Sequence, residues 1–335
     1  MRKVAINGLG RIGRLVLRQL MRVPHVQVVA VNDLTDAATL AHLMKYDSVH
    51  GRAEFPVAAD GDFLVLDGRR IRVGTEPDPR RVPFGALGAR IVLECTGQFT
   101  RRAQAAAHLR EGVSHVIIGA PSADSDRTVV LGVNEAALDP ARDLVISAAS
   151  STTLGLAPVV KVLDDAFGLE YGFITAVQSY TNDQRILDLP HPDLRRARAA
   201  ALSMIPTGTA APRTMDLVMP HLEGRLDGIA VRVPTPDVSI LDLTATLQRD
   251  VTLDQVQAAF QQAAHSGPLA PYLDILEAEL VSADLVGCTA SSVYDPFLTK
   301  LLGPRLVKAF AWYDNEAAYA ARMRDLCLHL LDRIQ

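Results

Sequence analysis

The spacing of apolar residues changes character about half-way along the chain. Val4-Ala5-Ile6-Asn7 reads as a short buried strand, and Leu15, Val16, Leu20 and Met21 then recur at helical spacing. Val26 to Val31 is a second strand. Ile91-Val92-Leu93-Glu94, Val116-Ile117-Ile118 and Leu144-Val145-Ile146 are further short apolar runs, and a helix is predicted from Phe99-Thr100 to Leu109. Repeated β–α units of this kind imply a doubly wound parallel sheet, with ligands at the carboxyl ends of its strands. Phe63 to Val73 reads as a hairpin around Asp67-Gly68. A helix is expected from Leu154 to Phe167. From Tyr171 the strands lengthen and alternate, as in Leu241 to Leu247, which predicts a mostly antiparallel sheet with one covered face. Thr252 is placed to cap a helix from Leu253 to Ala264, and the chain turns helical again after Glu316, to Ile334.

Composition narrows the class. A chain of 335 residues is long enough for two domains. Its 49% hydrophobic and 21% charged content is that of a soluble globular protein. The net charge of −4 gives no reason to expect nucleic acid or an anionic membrane as partner. No apolar run is long enough to span a membrane. Cys95, Cys288 and Cys327 fit neither a zinc nor a disulfide pattern, and the first residues lack a signal-peptide layout. A cytoplasmic location is expected.

Gly8-Leu9-Gly10-Arg11-Ile12-Gly13 lies between the first strand and the first helix. In such a turn the first glycine permits the bend and the second lets a pyrophosphate approach the backbone. The third allows close helix–strand packing. Asp33 lies twenty residues beyond Gly13, where an acid binds ribose hydroxyls and disfavours a 2′-phosphate. The expected cofactor is therefore NAD rather than NADP. His42 and His50 have no partners at metal spacing and read as structural, and no metal is expected. Cys95 reads as a small buried residue; the alternative, a nucleophile, needs a nearby base or cation that the sequence does not supply.

Two further stretches carry the chemistry. Ser147-Ala148-Ala149-Ser150-Ser151-Thr152-Thr153 joins a strand to a helix, a junction whose free backbone N–H groups suit an anion. Thr175-Ala176-Val177-Gln178-Ser179-Tyr180-Thr181-Asn182-Asp183 follows about a strand later. With the glycine turn, these stretches make the chain resemble the phosphorylating glyceraldehyde-3-phosphate dehydrogenases over nearly its full length. That family reads Ser-Asn-Ala-Ser-Cys-Thr-Thr-Asn at the first place and Thr-Val-His at the second. Here Ser151 and Gln178 stand at the positions of the catalytic Cys and His. Leu154 and Gly155 replace the polar–small pair that follows.

The resemblance implies an NAD-binding Rossmann-type domain at 1–150, completed by a C-terminal helix at 316–335. It implies an α+β catalytic domain at 151–315. Thr96 and Gly97 would lie beside the cofactor, with Asn315 holding the nicotinamide amide and Tyr319 lining its ring. Thr181, Asp183 and Arg232 match the substrate-phosphate group, with Asp183 orienting Arg232. Ser150, Thr152, Arg195 and Thr209 match the inorganic-phosphate group. Arg195, Arg196 and Arg198 also read as a solvated or subunit-contact face. The segment from Tyr180 to Ala201 resembles the family's tetramer-contact loop, so a homotetramer is expected.

In the family a thiolate, helped by imidazole, attacks the aldehyde. Serine is far less acidic and needs a base, and a carboxamide does not titrate near neutrality. Phosphorylating activity is therefore expected to be negligible. Three functions follow from these residues. One is an NAD-dependent oxidoreductase acting on a phosphorylated aldehyde or related small metabolite without a thioester, with Ser151 and Gln178 as hydrogen-bond donors to the substrate oxygen. Another is a binding pseudoenzyme that keeps NAD and a phosphorylated metabolite. The third is a non-catalytic subunit partnering an active paralogue.

Overall fold

The computed structural model describes residues 1–334, which divide into two units. The first comprises Met1–Val129, Ala136–Ala149 and the chain from Ala320 onward; the second comprises Val130–Glu135 and Ser150–Tyr319.

The first unit is built on a nine-stranded sheet. In chain order its strands are β1 (Arg2–Asn7), β2 (Val26–Asn32), β3 (Val57–Asp60), β4 (Phe63–Leu66), β5 (Arg69–Gly74), β6 (Ile91–Glu94), β7 (His115–Ile118), β8 (Arg127–Thr128) and β9 (Val145–Ser147). In space they run β3-β4-β5-β2-β1-β6-β7-β9-β8. Every pairing from β5 to β8 is parallel, and β3 and β4 add an antiparallel edge through the hairpin at Asp67-Gly68. Val4, Ala5 and Ile6 are fully buried because parallel strands are covered on both faces. Helix α1 (Arg11–Leu20) buries Gly13, Leu15, Val16, Leu17 and Leu20. Helix α2 (Ala37–Lys45) is capped by Asp36, whose side chain accepts from the Thr39 N–H.

The helix expected from Phe99 to Leu109 is shorter and broken. Helix α3 covers only Arg102–Ala105, and a 3₁₀ turn carries Ala106–His108. Its alanine-rich sequence favours a longer helix, so tertiary contact overrides propensity here. The contact is that of His108, whose ring is buried against Glu94.

The second unit opens with α4 (Ser151–Phe167), which starts three residues before the expected Leu154. Ser150 is the reason: its hydroxyl accepts from the Thr153 N–H at 3.0 Å and caps the first turn. Next come β10 (Leu169–Ser179), β11 (Ile205–Gly208), α5 (Ala211–Val218), β12 (Leu226–Val233), β13 (Ser239–Leu247), α6 (Leu253–His265), β14 (Leu273–Ile275), β15 (Ser292–Leu302) and β16 (Leu306–Tyr313). The seven strands are ordered β11-β12-β10-β13-β16-β15-β14. Four of their six pairings are antiparallel, and β10–β12 and β14–β15 are parallel. Alternation along β13 buries Ser239, Leu241, Leu243, Ala245 and Leu247, and along β16 it buries Val307, Ala309, Ala311 and Tyr313. Thr252 caps α6 by accepting from the Gln255 N–H at 3.2 Å. Helix α7 (Ala317–Leu331) follows, its first turn held by Asp314, which accepts from the N–H groups of Glu316 and Ala317. Among the described residues no helix is long and apolar enough to cross a membrane.

Candidate functional site

In the first unit a cleft of about 250 Å³ lies at the carboxyl ends of β1, β2 and β6. Asn7, Gly8, Gly10, Asn32, Asp33 and Thr96 line it, together with Glu76 and Cys95. The three glycines have separate physical reasons. Gly8 is left-handed, with φ +88°, and a Cβ there would sit 2.7 Å from the Thr96 nitrogen. A Cβ on Gly13 would lie 2.0 Å from the Gly8 carbonyl oxygen, so only glycine lets α1 approach β1 this closely. At Gly10 a Cβ would meet nothing within 4 Å, so the backbone there faces open space that a pyrophosphate can enter.

Asp33 supports the turn from below. One carboxylate oxygen accepts from the Leu9 N–H at 2.7 Å and the other from the Thr35 N–H at 3.2 Å. Arg11 and Ile12 begin α1, and Arg11 donates to Asp47 at 3.0 Å. Burial alone would raise the Asp47 pKa, but the His50 N–H, Arg11 and the Val49 N–H outweigh it and hold it at about 2. Thr96 donates both its N–H and its hydroxyl to Glu94. Gly97 follows in the left-handed region, with φ +70°. Cys95 is half-buried, and burial followed by the neighbouring Glu94 charge pushes its thiol far above the ordinary range. It has the opposite of what activates a nucleophile.

In the second unit Ser151 is the first residue of α4, at the half-buried start of the helix. Thr152 is buried one residue later. Gln178, near the end of β10, donates its amide to Thr152 Oγ1 at 2.6 Å and to the Tyr313 hydroxyl at 3.3 Å. Thr152 and Tyr313 are themselves 3.1 Å apart, oxygen to oxygen. Gly155 makes this possible: a Cβ there would lie 2.8 Å from Tyr313 Cδ1, so glycine admits the ring against α4. Burial raises the Tyr313 pKa despite bonds from Thr152, Ser239 and Gln178 and the charge of Arg232. The phenol is neutral at physiological pH. Gln178 is thus turned into a buried knot, where a bond to a substrate oxygen had been expected.

Arg232 is the register partner of Gln178 across the β10–β12 pair. Its Nη1 donates to the Ser179 carbonyl at 2.9 Å, while its Nε is buried without a partner. Burial lowers its pKa, against the opposing pull of Asp183. Asp183 had been expected to orient Arg232. Its carboxylate accepts from Thr181 on one oxygen and from Arg196 on the other, and it attracts Arg232 through charge. Burial would raise the Asp183 pKa, but Thr181, Arg232 and Arg196 together lower it. Arg196 also donates to Thr207 at 2.9 Å, and Thr207 donates to Asp193 at 2.9 Å.

The residues matched to a second phosphate group are engaged locally. Ser150 caps α4, Thr152 belongs to the Gln178 knot, and Thr209 accepts from the Ala211 N–H at 3.2 Å to open α5. Arg195 is exposed and lines a cleft of about 500 Å³ with Asp193, Leu194, Pro206, Thr207, Gly208 and Ile229. Asn315 is fixed by its amide oxygen, which accepts from Ser179 at 2.8 Å and from Ser239 at 3.1 Å. Tyr319 is buried in the first turn of α7. The supporting roles of Tyr313, Ser239 and Arg196 were missed in the sequence. The one signal for Tyr313 was the alternation of β16, which places it on the inward face.

Comparison with known proteins gives the family. Residues 2–102 match the family description "Glyceraldehyde 3-phosphate dehydrogenase, NAD binding domain", and residues 150–315 match "Glyceraldehyde 3-phosphate dehydrogenase, C-terminal domain". The chain is 52% identical over 331 residues to the glyceraldehyde-3-phosphate dehydrogenase of Geobacillus stearothermophilus, covering 99% of this chain and 98% of that one. It is 52% identical over 328 residues to glyceraldehyde-3-phosphate dehydrogenase 1 of Bacillus subtilis, covering 98% of each. It is 50% identical over 325 residues to that of Streptomyces coelicolor, covering 97% of each. The chain belongs to the glyceraldehyde-3-phosphate dehydrogenase family. Its first unit is an NAD-binding Rossmann domain, its second carries the family's C-terminal catalytic fold, and its cofactor is NAD.

Proposed function

We propose that this family member binds NAD and a phosphorylated aldehyde or related small metabolite, and that it acts without a covalent acyl-enzyme. NAD, when bound, supplies a hydride acceptor. The glycine turn and Asp33 would hold its pyrophosphate and ribose, with Thr96 and Gly97 beside them. Arg232 anchors the phosphate. Its buried Nε without a protein partner supports this, because such a group is costly unless a ligand pairs with it. Thr181 and Asp183 flank it, and Arg195 offers a second, exposed cation.

The observation that carries the proposal is the knot at the start of α4. Ser151 presents a hydroxyl, and Gln178 commits its amide to Thr152 and Tyr313. A serine needs a positioned base to attack a carbonyl, and a carboxamide cannot act as one. Loss of a general base alone costs roughly 10²–10⁴-fold in rate. Phosphorylating turnover of glyceraldehyde 3-phosphate is therefore negligible; bound NAD would supply a hydride acceptor for a hydrated aldehyde, whose hydroxyl proton passes to solvent as the acid forms, with Ser151 donating a hydrogen bond to the substrate oxygen.

The same knot favours a second reading, a binding pseudoenzyme. Thr152, Gln178 and Tyr313 satisfy one another, and none of them titrates near neutrality. Calorimetry with NAD and a panel of phosphorylated aldehydes, run beside NADH absorbance, separates the two readings. Binding with turnover supports the oxidoreductase; binding alone supports the pseudoenzyme; no binding of phosphorylated compounds overturns both. The apolar side chains Ile186, Leu187, Leu194, Leu202 and Met204 are exposed on one segment, which supports a homotetramer or assembly with an active paralogue. Cys95, Cys288 and Cys327 form no disulfide among the described residues, which suits a reducing cytoplasm.

A further inference from the structure

Beneath the cofactor cleft lies a row of buried polar side chains that no step above uses. Asn32, Asn7 and Glu94 end β2, β1 and β6, and they are register partners in adjacent parallel strands. All three are buried, Glu94 to 1% exposure. Asn32 donates to Asn7 Oδ1 at 2.8 Å, and Asn7 donates to Glu94 Oε2 at 2.6 Å. The row reaches both rims of the cleft. At one end Asn32 accepts from the Glu76 N–H and donates to the Glu76 carbonyl, each at 2.9 Å. At the other, Glu94 Oε1 accepts from the N–H and the hydroxyl of Thr96.

His108 closes the far side of the row. Its ring is fully buried, with Nε2 3.1 Å from Glu94 Oε2, while its Nδ1 has no partner. A carboxylate accepts only, so Nε2 carries the proton of that bond. Phe84 covers the ring at a centroid distance of 5.7 Å. Glu94 therefore acts purely as an acceptor for Asn7, Thr96 and His108. A carboxylate buried away from water is retained where its bonds fix something. Here they fix the spacing between the Glu76 loop and the Thr96 turn.

We propose that the Glu94–His108 pair is a positioning device for the cofactor. It holds the Thr96 turn directly and the Glu76 loop through Asn7 and Asn32, and so keeps the two rims of the cleft in place. Neither residue touches NAD; both act through residues that line its cleft. Glu94→Gln turns one oxygen into a donor facing the donors Asn7 and His108, and so breaks the row in its middle. Exchanging the two groups, Asn7→Asp with Glu94→Gln, puts an acceptor at position 7 for Asn32 and for the new amide.

The test is NADH titration of the full chain by fluorescence, well below its melting temperature, with amide exchange followed in parallel. Glu94→Gln is expected to weaken NADH binding about tenfold or more, the scale of a lost charge-assisted hydrogen bond. The double exchange is expected to recover most of that loss. Exchange should accelerate at the Thr96 amide while β1 amides keep their protection, which general destabilisation would not produce. NADH affinity within about twofold of the parent, no recovery in the double exchange, or uniform loss of protection across β1, β2 and β6 each overturns the proposal. If Glu94→Gln does not fold, His108→Leu decides in the same titration: about fivefold or greater weakening supports the pair, and an unchanged affinity sinks it.

Discussion

The side-chain amide of Gln178 lies 2.6 Å from the Thr152 hydroxyl, and both residues are buried. This bond ties the end of β10 to the first turn of α4. Gln178→Ala leaves Thr152 and Tyr313 paired with each other but opens a gap beside them. The expected cost is about 1–3 kcal/mol. Denaturant unfolding of the two proteins measures it as a shift in midpoint at unchanged slope.

Arg232 separates stability from function. Its guanidinium is partly satisfied by the Ser179 carbonyl and leaves a buried Nε unpaired. Removing the guanidinium spares the desolvation of that charge but forfeits the Ser179 bond and the attraction of Asp183. Arg232→Met is therefore expected to cost at most about 2 kcal/mol of stability while weakening inorganic phosphate and glycerol 3-phosphate by at least about tenfold. A larger loss of stability in parallel with phosphate binding would assign Arg232 a structural role instead.

Asp183 makes stability depend on pH at the acid end. Burial alone would raise its pKa, but Thr181, Arg232 and Arg196 bring it below the ordinary carboxylate value. A carboxylate depressed in the folded state stabilises the fold above its unfolded pKa, and that contribution is lost as pH falls through the folded value. Stability should thus decline as pH drops below about 4. The Asp183 side chain is 46% exposed, so Asp183→Asn should cost under about 1 kcal/mol at neutral pH. It should also flatten the acid limb of the curve, as urea titrations from neutral to acid pH will show.

Asp33 is proposed to set the cofactor preference. One of its oxygens takes the Leu9 N–H of the glycine turn and the other the Thr35 N–H just beyond β2, so the carboxylate is held against swinging aside for a 2′-phosphate. The chain should bind NADH well ahead of NADPH. Asp33→Ser should shrink that preference by about tenfold or more, chiefly by weakening NADH. Competitive fluorescence titration reads both affinities.

Much of this was legible in the sequence because it rests on local chemistry. The roles of Gly8, Gly10 and Gly13 follow from a strand, a turn and a helix in register, and the alternation of β13 and β16 follows from one covered face. What was missed depends on partners distant in sequence. The helix through Arg102 breaks so that His108 can reach Glu94. Helix α4 begins early because Ser150 caps it. Gln178 turns inward because Gly155 admits the Tyr313 ring, so positions 155 and 178 form one packed arrangement. Asp183 pairs with Arg196, which sequence spacing did not distinguish from Arg195 and Arg198.

Intact-mass spectrometry of the chain, quenched during incubation with glyceraldehyde 3-phosphate, NAD and inorganic phosphate, tests the absence of an acyl-enzyme most directly. The predicted result is an unmodified mass with no burst of NADH, and a covalent adduct only in the Ser151→Cys/Gln178→His protein. An ester or thioester on the unaltered chain, formed at the rate of NADH production, would contradict it.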